Sequence, residues 1–255
     1  MDADGARRTP DELVVEEPLE IRLDGHRVAT TMRTPGNDFE LAVGFCFSDG
    51  LLATAPVTAV RYCATGPASY TAFNVVTVET GGQAPVPEAR LTPVTSSCGL
   101  CGSTTLADLA ARLDPLPPPN RPIPLTTLAR VPANVRQAQG LFGATGGSLA
   151  ASAVTSEGEP IIVREDIGRH NAVDKVVGRL LLDGQLPARE LALFVSGRAS
   201  FEMVQKAWAA GFPTVVAVSA PSALAVATAR SAGIMLAGFA RDGRVNVYAP
   251  ERPTW

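Results

Sequence analysis

ELALFVSGRASFEMVQKAWAAGFPTVVAVS, residues 190–219, decides the fold class. An apolar run, Leu191 to Val195, breaks at Ser196-Gly197 and hands over to a stretch with helical spacing, which stops at Gly211-Phe212-Pro213. A second apolar run, Thr214 to Val218, follows. A short run of branched and aromatic residues, then about ten residues of helix, then another such run, predicts a strand–helix–strand unit. The pattern extends on both sides. SLAASAV and PIIVRE read as strands ahead of a helix HNAVDKVVGRLLL. Helix SALAVATARSAG and strands IMLAGFA and VNVYA come after. Alternation with short connections predicts a three-layer α/β/α sandwich over residues 125–255.

The first 114 residues read differently. EIRLDGHRVATTM is two alternating runs around Asp24-Gly25, which predicts a hairpin. Asn37-Asp38-Phe39-Glu40 has the form of a capping box, with Leu41, Gly44, Phe45 and Ser48 on one helical stripe that ends near Gly50. AVRYCAT and FNVVTVET predict strands, and STTLADLAARL a helix capped by Ser103 or Thr104. Residues 1–114 are therefore expected to form a smaller β-rich α+β domain. PLPPPNRPIP, residues 115–124, holds six prolines in ten positions and marks a stiff linker between the domains. One helical stretch is expected near 126–142.

Composition narrows the function classes. The chain has 255 residues and a net charge of −3, so no overall basic field argues for nucleic acid. Its 46% hydrophobic and 18% charged shares fit a globular rather than a disordered chain. The uncharged run Ala207–Ala229 contains Gly211, Pro213 and Pro221, so it reads as a strand and a helix in a core, not a membrane span. The polar, acidic start lacks the apolar region of a signal peptide, and four cysteines are too few for a disulfide framework. A cytoplasmic protein with reduced thiols is expected. Cys46 and Cys63 read as small buried hydrophobes.

Three stretches carry chemistry. In TSSCGLCGSTT, residues 95–105, Cys98 and Cys101 stand two residues apart. A structural zinc would need two more ligands. The chain has no second Cys-x-x-Cys, and its two histidines, His26 and His170, lie far apart, so only long-range assembly would supply them. A zinc deaminase needs His-x-Glu ahead of Pro-Cys-x-x-Cys, and here His170 follows the cysteines and precedes Asn171-Ala172. A nucleophilic thiol fits better, because the pair precedes a predicted helix start among glycines that admit a partner. The spacing leaves redox exchange and sulfur transfer both open.

REDIGRHNAVDKVVG, residues 164–178, clusters Arg164, Glu165, Asp166, Arg169, His170, Asp174 and Lys175 at a predicted strand end and helix start. Strand carboxyl ends and helix N-termini gather anionic ligands. A solvated charged helix start is the bland alternative. Helical spacing puts His170, Asp174 and Val177 on one side, with Asp174 in reach of Arg169 or His170, and puts Asn171 and Lys175 on the adjacent stripe. In SGRASFEMVQKA, residues 196–207, Gly197 lets backbone approach a ligand and Arg198 can clamp phosphate. Lys175 and Lys206 are the chain's two lysines, and both fall in these stretches. Either chance put them there or a compact positive charge is needed.

EDIGRHNAVDK, SGRASFEMVQKA and SSCGLCG, with GNDFELAVGFCFSDGLL upstream and GFARDGRVNVY downstream, occur together and in order. In this the chain resembles the formate dehydrogenase accessory sulfurtransferases, the FdhD/NarQ family, from about Pro18 to Pro250. The resemblance implies a cytoplasmic homodimer that takes persulfide sulfur from a cysteine desulfurase. It implies delivery to the molybdenum cofactor in its bis(molybdopterin guanine dinucleotide) form, for formate dehydrogenase. It also implies a C-terminal domain similar to the cytidine deaminase-like fold without its zinc.

By position, Cys98 matches the persulfide-bearing cysteine and Cys101 its partner. Phe239, Ala240, Arg241, Asp242, Gly243 and Arg244 match the cofactor-binding segment, and Asp242-Gly243 also reads as a hairpin turn. Arg169, His170, Lys175 and Arg198 would line the cofactor site, with Arg198, Arg241, Arg244 and Lys175 balancing its negative charge. Two transfers require the cysteine loop to move between donor and acceptor, for which its glycines and the Pro-rich stretch are suited. Ser103 stands where relatives often carry Lys, which removes one cation near the thiols. Cys46 occupies a position that is usually apolar. Two alternatives remain beside the sulfurtransferase: a non-catalytic cofactor-binding chaperone and a dithiol oxidoreductase cycling Cys98–Cys101.

Overall fold

The computed structural model describes residues 9–62, 74–87 and 112–250. Cys63, Cys98, Cys101 and residues 103–111 of the expected helix after them lie outside these residues. Two sheets organise the rest. The smaller has strand order β2-β1-β4-β3, formed by Glu17–Leu23 (β1), His26–Arg33 (β2), Ala59–Tyr62 (β3) and Val75–Glu79 (β4). The hairpin is as expected: Leu23 pairs with His26, and Asp24 and Gly25 take positive φ values of 46° and 86°, the geometry of a two-residue primed turn. The Asp24 carboxylate then accepts from the Thr80 N–H at 2.7 Å and from its hydroxyl, which ties the turn to the end of β4.

Helix Asp38–Ser48 (α1) packs on this sheet through Leu41, Ala42, Val43 and Phe45. The expected capping box does not form. Asn37 sits in the left-handed region and caps nothing, and Glu40 instead reaches Arg164 of the larger unit at 2.5 and 2.8 Å. An ion pair bridging the two sheets has displaced the local cap.

The larger sheet has order β10-β9-β8-β7-β5-β6. Its strands are Leu149–Val154 (β5), Pro160–Asp166 (β6), Ala192–Val195 (β7), Thr214–Ala217 (β8), Met235–Arg241 (β9) and Arg244–Ala249 (β10). β7, β8 and β9 run parallel, β5 is antiparallel to both β6 and β7, and β10 is antiparallel to β9. Hence β6, β7, β8 and β9 all end at one edge of the sheet.

Side-chain alternation splits the core. Ala151, Ala153, Leu193, Val195, Val215 and Leu236 meet three helices, Arg169–Leu182, Phe201–Ala210 and Ala223–Ala232. Val154, Ala192, Phe194, Val216 and Met235 face Leu128, Val131 and Val135 on the other side. Those residues belong not to one helix over 126–142 but to short helices at Leu125–Leu128 (α2) and Val131–Arg136 (α3), followed by Gly140–Thr145 (α4). Pro132 near the start of α3 removes a helical donor, and Gln139 leaves helical geometry at ψ 77°. The three long helices are therefore α5, α6 and α7 in chain order. α7 is capped by Ser222, its hydroxyl accepting from Ala225 N–H at 3.1 Å.

The Pro-rich stretch lies along the larger unit. Leu116 N–H bonds to Ala232 O at 2.8 Å, Trp208 Nε1 donates to Asp114 O at 2.9 Å, and Asn120 donates to Glu190 at 2.6 Å. The two sheets are joined by α1 against α5, and there the backbones nearly touch. A Cβ built on Gly44 would lie 1.9 Å from Asp174 O, and one on Gly178 1.8 Å from Glu40 O. Among the described residues no helix is long and apolar enough to cross a membrane.

Candidate functional site

The edge where β6 to β9 end collects the stretches singled out above. Asp166 closes β6 and α5 starts at Arg169. Ser196-Gly197-Arg198 follows β7, Val218-Ser219 follows β8, and Arg241-Asp242 turns β9 into β10. This is the edge of an α/β sheet at which ligands bind.

The 164–178 stretch is not a solvated helix start. His170, Asn171, Asp174 and Lys175 are only 8%, 4%, 2% and 1% exposed. Asp166, with no exposure, organises them. One carboxylate oxygen accepts from Gly168 N–H at 2.8 Å and Asn171 Nδ2 at 3.0 Å. The other accepts from Thr34 N–H at 3.1 Å and pairs with Lys175 Nζ at 2.8 Å. The Lys175 ammonium also donates to Thr34 O at 3.0 Å and Glu165 O at 3.3 Å, which engages all three of its protons. Lys175 thus stands behind the edge, joining β2, β6 and α5.

Asp174 does not face Arg169 or His170. It accepts both bonds of Lys206 of α6 at 2.7 and 2.9 Å, with Asp49 3.8 Å from the same ammonium. Burial pushes the Asp174 carboxyl upward against the pull of Lys206. For Lys206 burial works downward, but Asp174 and Asp49 outweigh it and the ammonium is held above its ordinary range. The two lysines therefore serve the interior, each on a buried aspartate.

His170 Nε2 approaches Glu202 Oε2 at 3.8 Å, longer than a hydrogen bond. His170, with Ser200 and the first turn of α6, holds the Glu202 carboxyl down at about 2 against its burial. It stays ionised and bridges the starts of α5 and α6.

The arginines supply the positive face. The Arg169 side chain runs beside Gly197, where a Cβ would come within 3.8 Å of its Cδ, and its Nε is buried with no hydrogen-bond partner among the described residues. A buried guanidinium donor without an acceptor suits an anionic oxygen. Arg198, Arg241 and Arg244 are exposed. Asp242 and Gly243 take φ values of 51° and 74° and Arg244 pairs with Arg241, so the expected hairpin turn is present and carries both arginines. Ala240 is buried. Phe239, 38% exposed and at φ 50°, breaks the register of β9 and donates its N–H to Ser219 O at 3.2 Å, which fastens this segment to the β8 loop.

A pocket of about 360 Å³ opens at this edge. Ser196, Val218, Arg241 and Asp242 form one side, and Arg136, Gln139 and Phe142 the other. Sequence reasoning missed those last three. They come from the 126–142 stretch, read as plain helix, and the signal was Pro132, whose missing N–H a continuous helix would have needed. Among the described residues no group of three or more His, Cys, Asp or Glu is placed to hold a metal ion.

The FdhD/NarQ family profile matches residues 14–253. A protein named sulfur carrier protein FdhD from Streptomyces avermitilis is 51% identical, covering 97% of this chain and 91% of its own. One of the same name from Nocardia farcinica is 49% identical, covering 96% and 88%. A crystal structure described as a candidate formate dehydrogenase accessory protein from Desulfotalea psychrophila superposes with a TM-score of 0.75. It covers 99% of this chain and 95% of its own, and at 24% identity it shares the fold.

Proposed function

The chain belongs to the FdhD/NarQ family, and from that premise we propose that it is a sulfur carrier for formate dehydrogenase maturation. The observation that carries the reading is the match to relatives named sulfur carrier protein over nearly the whole chain, at about half identity. The basic edge described above supports the finer part, a large anionic acceptor.

Cys98 is the carrier. Its thiolate attacks the outer sulfur of a persulfide on a cysteine desulfurase, forms the new S–S bond, and releases the donor's cysteine as thiolate. Cys101 assists or resolves the loaded state. The acceptor is the molybdenum cofactor as bis(molybdopterin guanine dinucleotide). Arg169, Arg198, Arg241 and Arg244 bind its phosphates, and Phe239 with the Ala240–Gly243 turn frames the site. Lys175 and His170 act from behind. Lys175 holds the α5 start through Asp166, and His170 holds it through Glu202. As parts of the same proposal, the protein works in the cytoplasm as a homodimer. Its larger unit is a cytidine deaminase-like fold lacking that fold's zinc ligands.

The test is mass spectrometry of the Cys98 peptide after incubation with an active desulfurase and cysteine. One added sulfur, about 32 Da, is expected. An unmodified peptide beside a demonstrably loaded donor refutes the carrier reading. Formate dehydrogenase activity that survives both Cys98→Ala and Cys101→Ala assigns the protein to chaperoning.

A further inference from the structure

The segment that carries Cys98 and Cys101 rejoins the described chain at Arg112, eleven residues after Cys101, and there it is fixed at once. Elements from both units grip it. A Cβ built on Gly50, just past α1, would lie 3.1 Å from both terminal nitrogens of Arg112, so that glycine leaves room for the guanidinium. Leu113 packs against the core of the larger sheet. Trp208 of α6, only 2% exposed, donates its indole N–H to Asp114 O at 2.9 Å. Leu116 N–H bonds to Ala232 O at 2.8 Å, and a Cβ on Gly233 would meet Leu116 O at 2.8 Å. The gripping elements are themselves tied together. Lys206 of α6 approaches Asp49, the C-cap of α1, at 3.8 Å. Residues 112–116 thus form a root that sits on the joint between the two sheets.

The root sets how far the cysteines reach. Trp208 stands two turns along α6 from Phe201, so the root lies about 10 Å behind the edge at which Arg198 and Asp242 stand. Eleven residues cover about 16 Å as helix and at most about 40 Å extended, so a thiol tethered here reaches the edge in either form. The next fixed point outside the root is Asn120, held by Glu190 at 2.6 Å and nineteen residues from Cys101. Local concentration at the end of a tether falls with about the −3/2 power of its length. Moving the fixed point from Arg112 to Asn120 therefore dilutes the thiol at the edge about twofold.

Resting on the reading that Cys98 carries sulfur to this edge, we infer that Trp208 is a positioning residue for the transfer. Its indole holds Asp114, and with Leu113 it keeps the tether short. Trp208 acts through the root, one face of α6 serving the arm while the start of the same helix serves the edge.

The experiment measures that reach. In the 255-residue chain carrying Cys101→Ser and Asp242→Cys, the rate of disulfide formation between Cys98 and the introduced thiol is followed under a fixed oxidant, with the bond identified by mass spectrometry. Alkylation of Cys98 by N-ethylmaleimide reports its intrinsic reactivity in the same chains. Trp208→Phe, which keeps an aromatic ring but removes the donor, is combined with Leu113→Ala. Ile21→Val, in the smaller sheet and away from the root, is the control for general loss of stability, with thermal melts to compare them. The double variant is expected to form the disulfide about twofold more slowly at unchanged alkylation rate. Trp208→Phe alone shifts in the same direction and carries the test if the double variant does not fold. A rate that is unchanged or faster, or an equal loss in Ile21→Val, overturns the inference and leaves the carrier reading standing. If no chain forms the disulfide while Cys98 alkylates normally, the thiol does not reach this edge, and the reading beneath the inference falls as well.

Discussion

Replacing Gly44 by alanine tests the joint between the two sheets. The added Cβ would sit 1.9 Å from Asp174 O and 2.8 Å from Gly178 N. Both are backbone atoms in the middle of α5, so no side-chain rotation relieves the clash. The helices must part by about 1.5 Å to restore ordinary contact, and flanking side chains lose their packing over that gap. Overpacking a core costs about 1–3 kcal/mol when side chains can yield. Here the obstacle is backbone, so about 3 kcal/mol is expected. With an m-value of about 3 kcal/mol/M for a chain of this size, the urea midpoint falls by about 1 M at unchanged slope. Gly178→Ala should match it, since its Cβ meets Glu40 O at 1.8 Å from the other side of the crossing. The double variant should lose less than the sum, because the first methyl has already opened the gap for the second. A Gly44→Ala midpoint within about 0.3 M of wild type, or full additivity, would show that the crossing is not limited by backbone contact.

Asp174→Asn or Lys206→Met alone strands a buried partner and should cost about 3–5 kcal/mol, while the double variant recovers most of the loss; urea unfolding that finds the double as unstable as the summed singles refutes this. Glu202 is held at about 2 from an ordinary 4.5, so its contribution is fully present above about 4.5 and fades as pH falls toward 2. The stability gap between wild type and Glu202→Gln should therefore hold from pH 6 to about pH 4.5 and narrow from there toward pH 2, and a gap that stays constant over the lower range contradicts the assignment. Glu165→Ala removes the acceptor for two backbone N–H groups and the Ser148 hydroxyl. About 2 kcal/mol of destabilisation and faster proteolysis within 139–147 are expected, and unchanged cleavage there would count against Glu165 as the anchor of α4.

Elements whose signal is local were legible. The Asp24-Gly25 and Asp242-Gly243 turns demand positive φ, and the sequence offers residues that accept it. The strands of the larger sheet run in short apolar blocks because both faces are buried. What failed was long-range pairing presented by a local pattern. Glu40 stands three residues after Asn37, as a capping box requires, but spends its carboxylate on Arg164, 124 residues away. Asp174 was matched to neighbours one turn back, whereas its partner is Lys206, 32 residues on. No periodicity reports such a choice, because it is made when helices pack.

The two lysines show why position in a chemical-looking motif is not proof of ligand contact. Every other cation of this chain apart from its histidines and terminus is arginine, which tolerates exposure and pairs through a broad planar fork. Lys175 and Lys206 occupy sites where a fork does not fit. Around Lys175, Asp166 and two carbonyl oxygens converge on one point from β2 and β6, matching a compact ammonium with three protons. An arginine there would spread five donors over a larger plane, at a position only 1% exposed. The need for a point charge thus lies in the interior, and Arg198, Arg241 and Arg244 are left at the exposed edge. The division also orders the site. Asp166, held by Lys175, holds Gly168 N–H and Asn171, and so sets where α5 begins and where Arg169 emerges beside Gly197. The buried lysine thereby helps set the place of the half-buried Arg169, from the far side of Asp166.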